Sequence, residues 1–280
     1  MSGTLYVVGT PLGNMEDITY RAVRILSEAD FICAEDTRVS VKLLNKFGIK
    51  KPLVSYHEHS ARHVGEEIIE RIAAGENCAV VTDAGMPCIS DPGEELVMLC
   101  AERNINVTVV PGPVAAASAA AISALPVSRF AFEGFLSVTK KQRYAHLESA
   151  ASDTHTLIFY EAPHKLLSTL KDMLEYFGDR RIAVCREMTK IHEEVLRTTI
   201  SGAIKHFETV PPRGEFVLVI EGARAETKKE EYTLEAAVSY ALELCKSKNM
   251  KISDACKEAA ALTGFRKGEI YSAAAKVSSD

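Results

Sequence analysis

The chain has 280 residues, 47% of them hydrophobic and 25% charged. That is long enough for two compact α/β domains and a small third unit, and too apolar for a disordered chain. Its 33 Lys and Arg against 38 Asp and Glu leave a net charge of −5, so the chain as a whole offers no electrostatic footprint for a polyanion, and any contact with nucleic acid must come from local patches.

LYVV (5–8) reads as a strand, followed by a helix near 17–29 in which Ile18, Ala22, Ile25, Leu26 and Ala29 share one face by their spacing. FICA (31–34), a helix through Leu43 and Leu44, PLVSY (52–56), a helix near 62–74, CAVVT (78–82), a helix near 93–103 and VTVV (107–110) continue the alternation. PGP (111–113) punctuates it, and AAASAAAIS (115–123) reads as a helix of small residues that approaches neighbouring backbone closely. A second series follows: RFAFEGF (129–135), a helix near 139–150, HTLIFY (155–160), a helix near 164–177, RIAVCRE (181–187), a segment ending in HFETV (206–210), and EFVLVIEG (215–222). Strands alternating with helices of this length predict an α/β fold class, with βαβ units and a mainly parallel sheet in the first series and a second α/β domain after it, divided as 1–112 and 113–224. ARAETKKEE (223–231) reads as a charged linker, and 232–280 as a small helical unit, helix-turn-helix-like, with a break at Gly264 and a basic C-terminal half.

The seven cysteines are scattered, odd in number and without a CxxC pair, which fits free thiols in a reducing cytoplasm. No apolar run reaches membrane-spanning length, so the chain is read as soluble and cytoplasmic, without a membrane or DNA partner. His57 and His59 form an HxH without further spaced ligands, and no metal is expected.

Four strand ends share a character: GTPLGN (9–14), TDAGMPCISDPG (82–93), PGPVAAAS (111–118) and FYEAPHK (159–165). Open α/β sheets bind ligands in the crevice outside the carboxyl ends of their strands, and small residues there let backbone groups touch the ligand. Neither GxxxxGK[ST] nor GxGxxG is present after a strand, which excludes the standard triphosphate and dinucleotide fingerprints. A ligand without phosphate, held by backbone groups and carboxylates such as Asp83, fits better. EDTR (35–38), HEH (57–59) and REMTKIHEE (186–194) add charged loops to the same strand ends.

In that order, GTPLGN, EDTR, TDAGMPCISDPG, VPGP, FYEAPHK, REMTKIHEE and RGEFVLVIEG closely resemble the tetrapyrrole methylase-like, S-adenosylmethionine (SAM)-dependent enzymes, in the branch that modifies bacterial small-subunit ribosomal RNA. The resemblance spans residues 4–222, and the helical tail resembles that branch's small appendage. It implies two α/β domains with SAM in the cleft between them, a homodimer, and as acceptor the ribose 2′-hydroxyl of a decoding-centre cytidine of 16S rRNA within the 30S subunit. Carried over by position, Pro11, Asp83, Ala84, Gly85, Ile89, Val114, Ala115, Tyr160, Glu161 and Met188 are the expected cofactor residues. Met86, Cys88, Ser137 and Lys165 depart from the branch's pattern.

A ribose hydroxyl is a poor nucleophile and needs a neighbouring base or cation. Lys190, supported by Glu187 and Glu193, is the expected group, with Arg38 and Lys165 on phosphates and Lys140, Lys141 and Arg143 as a docking patch. Two other readings stay open here: the same fold acting on a tetrapyrrole such as a precorrin, and a non-enzymatic RNA-binding assembly factor.

Overall fold

A computed structural model describes residues 2–57, 61–224 and 232–277. The chain divides into two units, Met1–Ala223 and Arg224–Asp280. In the first, β1 (Thr4–Val8), β2 (Phe31–Ala34), β3 (Leu53–Ser55), β4 (Cys78–Val81) and β5 (Asn106–Val110) form a parallel sheet in the order β3-β2-β4-β1-β5. Successive side chains of a strand point to opposite faces, and here both faces are covered. Leu5, Phe31, Cys33, Cys78 and Val80 pack beneath α3 (Ala61–Ala73) and α4 (Glu94–Glu102) through Ile68, Ile72 and Leu96. Val8, Ile32, Ala34, Ala79 and Val81 meet α1 (Tyr20–Glu28) and α2 (Thr37–Lys46) through Ala22, Ile25, Leu26 and Leu44. Strands buried on both sides read as unbroken apolar runs, as FICA and CAVV do. Each buried Val, Ile or Phe among them contributes roughly 1.5–3 kcal/mol and each Ala less, so the loops at the strands' carboxyl ends stand on a firm base.

The second sheet follows in the same unit: β6 (Phe130–Phe135), β7 (Thr156–Glu161), β8 (Arg181–Arg186), β9 (Glu194–Thr199) and β10 (Phe216–Ile220), in the order β6-β7-β10-β8-β9. Only β6 and β7 run parallel; the other neighbours are antiparallel. The second sheet is thus mainly antiparallel, unlike the first, in which the expected parallel arrangement is found. The reason is β9: its half-exposed EVLRTT pairs back on β8 as a hairpin, where the charge-rich sequence gives little strand signal. Thus REMTKIHEE is largely a hairpin turn. Its far side leads into α8 (Ile200–Thr209), which joins α6 (Lys140–Ala150) and α7 (Leu166–Phe177) over one face of the sheet.

On the other face lies α5 (Ala115–Ile122), whose Ala116, Ala119 and Ala120 sit against Ile158, Ala183, Cys185 and Val219. Its N-cap is Val114, which has no side-chain acceptor for the free N–H groups of the first turn. Tyr160 supplies one from the sheet: the Ala116 N–H donates to the Tyr160 hydroxyl at 3.1 Å. A tyrosine thereby does the work of an N-cap residue.

The second unit holds α9 (Leu234–Lys248), α10 (Ile252–Thr263) and α11 (Lys267–Val277) around Ala237, Ala241, Ala255, Ala259 and Ile270. The sequence points to one break, at Gly264, which does cap α10 with φ 77°. A second break falls at Asn249, left-handed at φ 52°, a conformation that asparagine tolerates better than most residues. The linker expected at 223–231 lies mostly outside the described residues. Among those described, no helix is long and apolar enough to cross a membrane. All seven cysteines are free.

Candidate active site

Three strand ends of the first sheet are tied directly to one another. The Thr10 N–H donates to the Gly85 carbonyl at 2.8 Å, and the Gly85 N–H returns a bond to the Thr10 carbonyl at 3.2 Å. The Thr10 hydroxyl donates to the Thr82 carbonyl at 3.1 Å. A Cβ on Gly9 would stand 2.7 Å from Gly112 Cα, so the backbones after β1 and β5 touch where only glycine fits. Gly85 takes φ 84° to make the turn after β4.

Above these loops lies a cleft of about 400 Å³, within the size range of small-molecule sites. One wall comes from the first sheet, with Leu12, Glu35, Thr82–Met86 and Ile89–Asp91; the other comes from α5 and the second sheet, with Val114, Ala115, Phe135, Tyr160–Pro163, Cys185, Met188 and Glu215–Val217. Of the residues expected to hold a cofactor, Asp83, Ala84, Gly85 and Ile89 line the first wall, and Val114, Ala115, Tyr160, Glu161 and Met188 the second. Pro11 does not; it is buried, and its neighbour Leu12 faces the cleft.

The charge of the lining is one-sided. Glu35, Asp83, Asp91, Glu161 and Glu215 contribute to it, and among the described residues lining it none is Lys, Arg or His. Glu161 is internally satisfied by the Ala162 N–H at 2.8 Å and the Thr169 hydroxyl at 2.6 Å. Glu35 accepts from the Thr82 hydroxyl at 2.8 Å, and Asp83 from the Asp36 N–H at 3.2 Å. Burial raises the Asp83 carboxyl above its ordinary range, with Glu35 and Asp36 adding to the effect. Asp91 is pushed up to about 6, first by burial and then by Glu35. Such a wall attracts a cation or a cluster of N–H donors and repels phosphate.

Reading the sequence singled out none of Glu35, Asp91 and Glu215 as an individual site residue. Two of them had a visible signal, in EDTR and in the DPG end of TDAGMPCISDPG; Glu215 precedes a strand and is brought in by tertiary packing alone. The bend that aims this loop is unusual, since Cys88 and Ser90 both hold positive φ, 69° and 61°.

Lys190, Glu187 and Glu193 do not line the cleft. The Lys190 ammonium sits beside it, 3.0 Å from Glu187 Oε1 and 3.0 Å from Glu215 Oε2. Glu215 therefore connects this cluster to the cleft wall. Glu193 instead accepts from the Thr189 N–H at 2.6 Å. Burial opposes the charge on Lys190, but the two carboxylates outweigh it and the ammonium is held above its ordinary pKa. For Glu187, burial is likewise outweighed by Lys190 and the Glu215 N–H, and its carboxyl is held low.

The expected RNA-contacting cations fall in separate places. Arg38 is exposed and pairs with Asp36 at 2.6 Å, and Lys165 caps α7 just beyond the cleft-lining Pro163. Lys140 and Lys141 are exposed on the first turn of α6. Arg143 is mostly buried and tied to Asp172 at 2.7 Å. Among the described residues no three His, Cys, Asp or Glu side chains gather as a metal site would require; His59 lies outside them.

Two α/β layers with a carboxylate-walled cleft at their strand ends define a class. The profile of the Tetrapyrrole (Corrin/Porphyrin) Methylases matches residues 4–204, and the chain belongs to that family. Cobalt precorrin-4 methyltransferase, a cobalamin biosynthetic enzyme, shares the fold with a TM-score of 0.58 at 19% identity, over 78% of this chain and 94% of its own. Relatives in sequence are nearer. Ribosomal RNA small subunit methyltransferase I of Halalkalibacterium halodurans is 45% identical over 274 residues, 96% of this chain and 93% of the relative. The protein of the same name from Thermotoga maritima is 49% identical over 220 residues, 79% of this chain and 99% of the relative. That relative is thus about as long as the first unit alone.

Proposed function

We propose that the chain is a SAM-dependent methyltransferase acting on the ribose 2′-hydroxyl of a decoding-centre cytidine in 16S rRNA, within the 30S subunit, as a cytoplasmic homodimer. The observation that carries the cofactor is the cleft lined by five carboxylates and, among its described residues, no cation. SAM bears two cationic groups, a sulfonium and an ammonium, against one carboxylate and no phosphate, so this set of acceptors suits it and does not suit a nucleotide cofactor. The names of the relatives support RNA as the acceptor.

When bound, SAM supplies an electrophilic methyl group. The protein's share is alignment, exclusion of water and management of the acceptor's proton. Asp83, Ala84, Gly85 and Ile89 would hold the cofactor from the first sheet, and Val114, Ala115, Tyr160, Glu161 and Met188 from the second. Lys190 enters protonated, so it serves as a cation that stabilises the developing oxyanion rather than as the base, and the hydroxyl proton is released to solvent water at the mouth of the cleft as the methyl is transferred. Glu187 keeps it charged, and Glu193 holds the backbone of the same turn. Arg38, Lys165, Lys140 and Lys141 supply phosphate contacts; Arg143 supports α6 through Asp172.

The test is transfer from methyl-labelled SAM to 30S subunits of a strain lacking the enzyme, followed by alkaline digestion. Label in an alkali-resistant dinucleotide is the expected result. SAM binding without label on 30S subunits or free 16S rRNA would overturn the RNA reading and direct the search to a small-molecule acceptor.

A further inference from the structure

Among the described residues lining the cleft, three carry aromatic rings, and one of the three stands largely in solvent. Phe216 is buried and Tyr160 half-buried, whereas Phe135 is 56% exposed. An irregularity in β6 puts it there. The pairing of β6 with β7 shifts register between Phe132 and Gly134, and Gly134 takes φ 65°. Such a bulge inserts one residue and re-aims the side chains beyond it. Phe132 and Phe135 would lie on opposite faces of a regular strand. Here both meet the Tyr160 ring edge-on, at centroid distances of 4.9 and 5.4 Å.

The exposed ring is firmly held. Tyr160 behind it is fixed by its hydroxyl, which accepts the Ala116 N–H. Leu136, the next residue, is buried in the core of the second sheet. Beyond it the carbonyls of Ser137 and Val138 both accept from Arg143, whose guanidinium is anchored on Asp172. Val138 is 73% exposed, and Lys140 and Lys141 follow, exposed on the first turn of α6. Cations there oppose the helix dipole, and no acidic side chain of that turn offsets them. Residues 135–141 thus form a fixed ledge with an apolar end at the cleft and a cationic end away from it. Single-stranded nucleic acid is bound where a base stacks on an aromatic ring beside cations that take the phosphates. The carboxylates of the cleft repel phosphate, so a strand can approach only with a neutral side turned inward and its phosphates outward. The ledge offers that polarity.

We infer that an unstacked base of the RNA strand carrying the acceptor stacks on the exposed face of Phe135, with Lys140 and Lys141 on the adjoining phosphates. The inference rests on the RNA-methylation reading above. It adds the contact that turns the strand's neutral side toward the cleft, and splayed-out bases are the usual target of RNA-reading aromatic side chains.

Single-turnover methylation of 30S subunits from a strain lacking the enzyme tests it, with SAM affinity measured by calorimetry and oligomeric state by sedimentation on the same preparations. Phe135→Ala should raise the half-saturating 30S concentration about tenfold, a loss within the range of one stacked base, with a smaller change in the rate at saturation. SAM affinity and oligomeric state should not move. Phe135→Tyr, which keeps the ring, should bind 30S subunits like the wild type. Phe135→Leu, apolar but without a ring, should resemble F135A, and decides alone if F135A does not fold. Wild-type 30S binding by F135L would overturn the assignment. So would a loss of SAM affinity in step with 30S binding, or a changed oligomeric state, which would give the ring to the cofactor or to a second copy of the chain. If wild-type protein binds SAM but labels neither 30S subunits nor free 16S rRNA, the RNA reading fails first and this assignment with it.

Discussion

Asp91→Asn should weaken the cofactor's hold and at the same time make the free protein more stable. Asp91 is half-buried on the cleft wall, with its pKa pushed up to about 6 by burial and by Glu35. It is therefore ionised at pH 7.5 at a cost. Converted directly, a rise of about two units is near 3 kcal/mol, but solvent screening of a half-exposed group reduces this to roughly 1–1.5 kcal/mol. The sign follows from linkage: with the folded pKa above the unfolded one, the protonated form stabilises, and that contribution is lost as pH rises through 6. Asn removes the penalty, so chemical denaturation at pH 7.5 should show the apo variant about 1 kcal/mol more stable, with the gain shrinking below pH 6. A bound cation reverses the balance by favouring the carboxylate. Titration calorimetry with SAM should give affinity that falls about tenfold between pH 7.5 and pH 5 for the wild type, because a proton must then leave on binding. D91N should bind about tenfold more weakly at pH 7.5 and lose most of that pH dependence. Equal affinity in the two proteins, or a variant less stable than the wild type, would show that the acidic wall does not act on the ligand electrostatically.

Gly9→Ala forces a methyl group against the Gly112 backbone; we expect a loss of about 1–3 kcal/mol in denaturant melts and weaker SAM binding as the strand ends part. Tyr160→Phe removes the acceptor of the Ala116 N–H and should cost about 1–2 kcal/mol, with helix α5 losing amide-exchange protection at its first turn. A chain ending at Ala223 should fold and bind SAM with wild-type affinity, since the Thermotoga maritima relative matches over a length close to that of the first unit; calorimetry on the truncated protein checks it.

The first sheet was legible chiefly from its central strands, which are buried on both faces and read as continuous apolar runs such as FICA and CAVV. The second sheet was harder. Its β9 mixes exposed and half-buried residues without strict alternation behind a charged turn, so neither periodicity nor apolar length announced it, and the sheet's antiparallel character went unseen. At the site, small-residue loops pointed to the cleft, and family resemblance placed the residues that line it. What stayed hidden depends on long-range approach: Glu215 reaches the wall from the start of β10. The Lys190 cluster was visible as charge density, but its protonation state follows from Glu187 and Glu215 closing on it, which no local pattern encodes.

The one-signed lining of the cleft has a consequence for turnover. Carboxylates hold a ligand strongly while it carries excess positive charge. Giving up a methyl turns a sulfonium into a neutral thioether, so on the proposed chemistry the spent molecule loses one unit of attraction in the same event that makes it product. Release then needs no separate trigger, and fresh cofactor competes favourably with what the last cycle left behind.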